Sequence, residues 1–396
     1  MTRIHTAQRA NQATNYYFAD KLAEIRRRMA AGHDVINLGV GSPDLAPAPA
    51  AAEAITADML RPGAFAYQPY SGVPELSAGF SVYCKDRFGM DVESGGIIPL
   101  LGSKEGCGFL ALAHLDPGDT ALVPNPGYPT YSSATSLAGG RPLAFALRES
   151  NGFLPDLVEI EALRSQSERE ESPVRLIWLN YPNMPTGAPP DAKRMEEVFA
   201  WAKEHGILVV HDNPYARILN EGRPFSALTL KGSESVCIEL HSLSKSHRMA
   251  GARMGFAVGQ PDLLKPLFKV ATQFSSGSWR PLQIAAGKVL ASGEANLNDA
   301  NETYAERRLQ ARILFDALRC DCREDQVGMF LWARTPEGWN GSRLSDALLD
   351  VCDVFLTPGS VFGSEGERYL RLSLCSPADR IKEACARVSA QSPFTP

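Results

Sequence analysis

Between residues 97 and 258 the chain repeats one pattern: a short, apolar, β-rich run, then a polar turn, then a segment with helical spacing. The runs are Ile97–Leu101, Thr120–Pro124, Arg175–Asn180, Ile207–Asp212, Val236–Leu240 and Met254–Val258. Helical patterns lie between several of them. In Asp191–His205, Pro189 and Pro190 precede the helix and Gly206 stops it. Strands that alternate with helices build an α/β fold with a mostly parallel central sheet and helices on both faces. Ligands of such sheets sit beyond the C-terminal ends of the strands.

The chemically informative residues fall at those ends. They are Gly102-Ser103-Lys104, Asn125-Pro126-Gly127-Tyr128, Asn180 to Gly187, Asp212 to Tyr215, and Ser242 to Lys245. The last hundred residues change character. A helical stretch from about Asn296 to Ala317 is followed by strand-like pieces at Gly328–Ala333 and Tyr369–Leu374. This predicts a smaller α+β domain over 291–396, joined by an N-terminal segment, 1–46, around a large domain over 47–290.

Gly102-Ser103-Lys104-Glu105-Gly106 follows a strand and opens a helical run from Gly108 to Leu115. A helix N-terminus offers N–H groups and partial positive charge to a phosphate. The same letters also suit a simple Ser-capped helix. Ser242-Leu243-Ser244-Lys245, with Arg253 beyond, is a stronger signal, because Ser and Arg bind phosphate and an enclosed lysine becomes a nucleophile toward carbonyls. A solvated basic loop is the alternative. The small or apolar neighbours Met249, Ala250, Gly251, Ala252 and Gly255 argue against it. Asp212 closes an apolar strand, where an unpaired carboxylate is costly. A protonated pyridine nitrogen would pair with it, and Tyr215 would reach the same ligand; capping the next turn is the alternative.

The 396 residues carry a net charge of −5 and show no basic stripe, which argues against nucleic acid. The basic stretch Lys21 to Arg28 reads as a solvated helix face. No apolar run reaches the roughly 18 residues that cross a bilayer, and the first residues lack the apolar centre of a signal peptide. The eight cysteines are scattered, without metal spacing, which predicts a reduced cytoplasmic chain and no metal.

Four segments together resemble the class I/II aminotransferases of fold type I, which use pyridoxal 5'-phosphate (PLP). They are Asn125-Pro-Gly-Tyr-Pro-Thr-Tyr131, Asn180-Tyr-Pro-Asn-Met-Pro-Thr-Gly187, Asp212-Asn-Pro-Tyr215 and Ser242-Leu-Ser-Lys-Ser-His-Arg-Met-Ala-Gly-Ala-Arg253. The similarity runs in order from about Asn37 to Leu374. It implies that Lys245 forms the Schiff base (the internal aldimine) and moves protons, Asp212 holds the ring nitrogen protonated, and Tyr215 bonds the ring hydroxyl. It further implies that Tyr128 stacks on the ring and that Ser103, Lys104, Ser242, Ser244 and Arg253 hold the phosphate. Arg371 would grip the substrate α-carboxylate, with Gly41 beside it. Tyr67 would reach the neighbouring subunit's phosphate, which implies a homodimer.

One position departs from the family pattern. Met184 stands where an asparagine contacts the ring hydroxyl, so Asn183 or Asn180 is expected to take over, or Tyr215 to act alone. The resemblance implies transfer of an amino group from an L-amino acid to a 2-oxo acid. Within it, Gly102–Gly106 and Tyr16-Tyr17-Phe18 look like the branch of LL-diaminopimelate and alanine aminotransferases, with Tyr16 on the substrate side. A PLP-dependent lyase or decarboxylase is the alternative, since the scaffold hosts those too. A PLP-binding regulator is a third, and the chain has no spare DNA-binding segment for it.

Overall fold

The computed structural model describes residues 4–12, 17–220, 224–292 and 295–391. Its seven-stranded sheet runs, edge to edge, Ile97–Leu100, Gly255–Val258, Cys237–Ser242, Leu208–Asp212, Val174–Leu179, Thr120–Asn125, Arg141–Ala146. Gly255–Val258 is antiparallel to both neighbours, and every other pairing is parallel. Leu208–Asp212 and Cys237–Ser242 are buried at every position. Side chains alternate between two cores, with Leu176, Trp178 and Val210 in one and Ile177, Leu179 and Val209 in the other. Burial on both faces is why these strands read as continuous apolar runs.

Two local readings needed correction. Arg141–Ala146 is a strand that the sequence did not announce, because Pro142 reads as a strand breaker. It forms the sheet edge, where a missing N–H is tolerated. The helix expected from Gly108 begins at Ser103 and runs to His114. Gly106 lies inside it because the helix presses on the sheet; a Cβ there would sit 2.7 Å from Leu100 and 2.9 Å from Leu240. The helix Ala192–His205 keeps its signalled ends, with Asp191 capping the Arg194 N–H and Gly206 left-handed at the far end.

A second, antiparallel sheet orders Thr357–Pro358, Tyr369–Ser373, Phe330–Arg334 and Asp321–Cys322, with the helix Ala295–Ala317 packed nearby. The N-terminal stretch is tied to it. Ile36–Asn37 pairs with Val354–Phe355, and Asp44 holds buried Arg307 through bonds of 2.7 and 2.8 Å. The stretch Lys21 to Arg28 is more than a solvated face. Its helix, Tyr17–Ala30, buries Ile25 and reaches Asp346 and Asp350 of the helix Gly341–Cys352 through Lys21 and Arg28.

All eight cysteines are unpaired. Among the described residues no helix is long and apolar enough to cross a membrane, and no cluster of His, Cys, Asp or Glu could hold a metal ion.

Candidate active site

A cavity of about 410 Å³ opens over the C-terminal ends of the parallel strands. Gly41, Ser103, Lys104, Tyr128, Asp212, Tyr215, Ser242, Ser244, Lys245, Arg253 and Arg371 all line it. The chain thus brings together, from residues 330 apart, most of the side chains picked out above.

One end is built for an anion. Ser103 and Lys104 open the helix Ser103–His114, and Ser242 caps the short helix Leu243–Ser246 by accepting from the Ser244 N–H at 3.2 Å. Arg253 crosses this end, donating to Leu101 O at 3.0 Å and Ala250 O at 2.9 Å. Gly102 has φ +98°, and a Cβ on it would lie 2.6 Å from the Arg253 guanidinium, so the turn admits only glycine. Helix N–H groups, three serine hydroxyls (Ser103, Ser242 and Ser244), a lysine and a bidentate donor are the groups that suit a phosphate.

Asp212 stands at the floor, 3 % exposed. Its Oδ2 accepts from the Tyr131 hydroxyl at 3.0 Å, while Oδ1 finds no hydrogen-bond partner among the described residues. Burial pushes the carboxyl up to about 6, against the pull of Tyr131, Ser103, His211 and His241. Tyr131 is itself held by a stack on Trp178, with centroids 5.3 Å apart and planes 11° apart. Lys245 sits on the short helix beyond the strand Cys237–Ser242, and its Nζ donates to Gly41 O. Burial lowers its pKa, and Arg371 and Arg253 push the same way against Cys375. That leaves an amine closer to its neutral, nucleophilic form.

The other end holds Arg371, 4 % exposed, on the strand Tyr369–Ser373. It donates to Gly39 O at 2.7 Å and lies over the rings of Phe330, Phe362 and Phe18 at 4.2, 4.6 and 5.4 Å. None of the three rings, nor Tyr131, had a role assigned from the sequence, though Phe18 lies in the Tyr16-Tyr17-Phe18 stretch. Tyr131 was visible in its motif but carried no role; the phenylalanines come from distant segments and have no local signature.

Of the remaining expected residues, Asn183 and Tyr67 do not line this cavity. The Asn183 amide donates to Asn180 O at 3.0 Å and accepts from the Thr186 hydroxyl at 2.6 Å, so it is spent on its own turn. Tyr67 is 91 % exposed on the outer surface. Tyr16 lies outside the described residues. Asn180 lines the cavity; one N–H of its amide donates to Asp212 O at 2.6 Å and its oxygen accepts from the Met184 N–H at 2.8 Å. Met184 places its Sδ 3.2 Å from Arg371 Nη1.

Residues 33–388 match the family described as aminotransferase class I and II. The chain belongs to this family. An LL-diaminopimelate aminotransferase of Aquifex aeolicus is 35% identical over 375 residues, covering 94% of this chain and 95% of its own. Another, from Halothermothrix orenii, is 34% identical over 390 residues, covering 97% and 98%. The substrate-bound structure of BacF from Bacillus subtilis superposes with a TM-score of 0.93 at 31% identity, over 100% of both chains. The enzyme is a PLP-dependent aminotransferase of fold type I.

The cavity of this aminotransferase fits the cofactor. The unpartnered Asp212 Oδ1 is the acceptor that a protonated ring nitrogen requires, and the anion cradle of Gly102–Lys104 and Arg253 suits its phosphate. The depressed pKa of Lys245 suits an amine that joins the cofactor carbonyl.

Proposed function

We propose that Lys245 holds PLP covalently and moves the substrate proton, and that the amino donors are dicarboxylic amino acids of the LL-diaminopimelate type. The observation that carries the reading is a buried carboxylate with one oxygen unpartnered, Asp212, in the same cavity as a lysine of depressed pKa. When bound, PLP supplies a carbonyl for the amine and a ring that draws electrons from the bond to be broken.

The chain's own residues do the rest. Asp212 keeps the ring nitrogen protonated. Tyr215 and Tyr128, which line the same cavity, would hydrogen-bond and cover the ring. Ser103, Lys104, Ser242, Ser244 and Arg253 anchor the phosphate. Arg371, next to Gly41, takes the substrate α-carboxylate as a bidentate pair in a wall of phenylalanines that excludes water. Lys245 would be the base that takes the proton from the substrate carbon and gives it back. The substrate type is read from the relatives that carry the name LL-diaminopimelate aminotransferase.

We read the working form as a homodimer. Leu60, Phe65, Tyr67 and Phe274 are large and exposed, at 79, 76, 91 and 68 %, and a second copy would cover them and bring Tyr67 to the partner's phosphate cradle. We assign residues 47–290 to the PLP-holding domain and 291–396, with 1–46, to a smaller one. Eight unpaired cysteines favour a reducing, cytoplasmic setting.

A panel of amino donors with 2-oxoglutarate as acceptor tests the reaction. Turnover of LL-diaminopimelate is expected, with donor alone converting the cofactor stoichiometrically to its amino form. Release of ammonia or CO2 from donor alone would instead mark a lyase or decarboxylase.

A further inference from the structure

Behind Asp212 lies a buried polar cluster that the reaction does not use. His211 pairs in register with Glu239 on the neighbouring strand, and His241 is two residues further on, so all three point from one face of the sheet. His211 and Glu239 are 0 % exposed. Glu239 Oε2 takes His211 Nδ1 at 2.8 Å and the Ala227 N–H at 2.7 Å; Oε1 takes the Ser226 hydroxyl at 2.8 Å and lies 2.8 Å from His241 Nε2. Burial alone would raise this carboxyl, but the two imidazoles hold it well below the usual carboxylate range.

The hydrogen bonds fix a tautomer. The Tyr181 backbone N–H points at His211 Nε2 at 3.1 Å, so that nitrogen carries the lone pair and the proton sits on Nδ1, toward Glu239. Tyr181 follows Asn180 and leads into the turn of Met184. Asn180 binds both Asp212 O and the Met184 N–H, and Met184 Sδ touches Arg371 Nη1. A continuous chain of contacts thus runs from Glu239 through His211 to the segment lying against the carboxylate-gripping arginine.

We propose that Glu239 and His211 are positioning residues for amino transfer. By locking His211 in its Nδ1–H form, Glu239 holds the Tyr181 amide, and with it the Asn180–Met184 segment, at the height that leaves Arg371 its grip on the substrate carboxylate. The proposal rests on the reading of Arg371 given above.

The test compares His211→Leu, Glu239→Leu and Glu239→Gln, measuring KM for donor and 2-oxo acid, and PLP affinity of the cofactor-free protein by fluorescence titration. Both leucine variants are expected to raise both KM values about tenfold while PLP affinity stays within about twofold. Glu239→Gln is expected to restore most of the loss, since its carbonyl still accepts from His211 Nδ1–H and the Ala227 N–H. A lower melting temperature with unchanged KM would mean a structural role only, and would overturn the proposal. If the leucine variants fail to fold, ¹⁵N NMR of histidine-labelled wild-type holoenzyme decides: a neutral Nδ1–H His211 is expected, and an Nε2–H or doubly protonated ring overturns it. Arg371→Ala separates the two readings. Unchanged KM there sinks the role of Arg371 itself, whereas raised KM there with unchanged KM in His211→Leu sinks only the positioning role.

Discussion

At the phosphate-cradle end of the cavity, the polar groups come from the turns that follow the strands of one sheet, each within a few residues of a strand end: Ser103 and Lys104, Asp212 and Tyr215, Ser242 to Lys245. At the Arg371 end, a single guanidinium from the second sheet is caged by rings from the N-terminal helix and two C-terminal segments, with Gly39 O closing the cage from the other end of the sequence. The first end is rich in hydrogen-bond donors that suit a permanent, highly charged guest. The second is apolar around one cation. Each ring adds about 0.5–2 kcal/mol of attraction to the guanidinium, and together they keep its surroundings dry for an incoming carboxylate. A cofactor that stays needs many modest contacts; a substrate that comes and goes is better served by one strong, exchangeable pair.

The contrast breaks most visibly at Lys245. Lys245→Ala should lose the visible absorption of the protein-linked cofactor and cut turnover by about four orders of magnitude or more, because the variant loses the amine proposed as nucleophile and base. Steady-state rates with saturating PLP check this, and residual turnover near the wild-type value would refute it.

Arg371→Ala probes the other end. Losing one partner of a desolvated bidentate pair is worth about 4 kcal/mol, close to a thousandfold in KM for amino acids, with PLP affinity little changed. Equal losses in both constants would show that the two ends are not separable.

Asp212 gives a pH signature without turnover. Its folded-state carboxyl is raised from 3.8 to about 6 by burial, so its contribution to stability is full below the unfolded value and is lost as pH rises through 6. Above pH 6 the cofactor-free protein therefore carries a buried charge. Asp212→Asn should make the cofactor-free protein more stable by up to about 3 kcal/mol at pH 8, with the gain vanishing below about pH 4. Thermal melts across that range measure it, and a gain that grows on acidification would contradict the burial argument.

The smallest effect belongs to Met184. Methionine at 184 offers the ring oxygen no donor, and the amides of Asn180 and Asn183 each already spend one of their two N–H groups on a backbone carbonyl. Met184→Asn should restore that donor and stabilise the ring phenolate, lowering the pH at which the cofactor's absorption band changes by a fraction of a unit. An unchanged or raised midpoint in a spectrophotometric titration would mean that another group already makes the bond.

The same contrast explains what could be read in the sequence. Strand-end residues announce themselves, because a buried apolar run followed by Gly-Ser-Lys or Ser-x-Ser-Lys places its side chains by local geometry alone. Asp212, Lys245 and Arg253 were legible for that reason, and Arg371 through its family motif. Phe18, Phe330 and Phe362 were not, since their meeting depends on how distant segments fold together. The edge strand Arg141–Ala146 was hidden by Pro142, and the start of the helix at Ser103 by Gly106, two residues whose usual meaning is overridden by position at an edge and by close packing.

The central claim is that Lys245 is the amine that holds PLP. Borohydride reduction of the holoenzyme followed by proteolysis and mass spectrometry tests it directly. A phosphopyridoxyl group on the peptide containing Lys245, one per chain, is the predicted result; the group on Lys104 or any other lysine, or no protein-bound group at all, would contradict it.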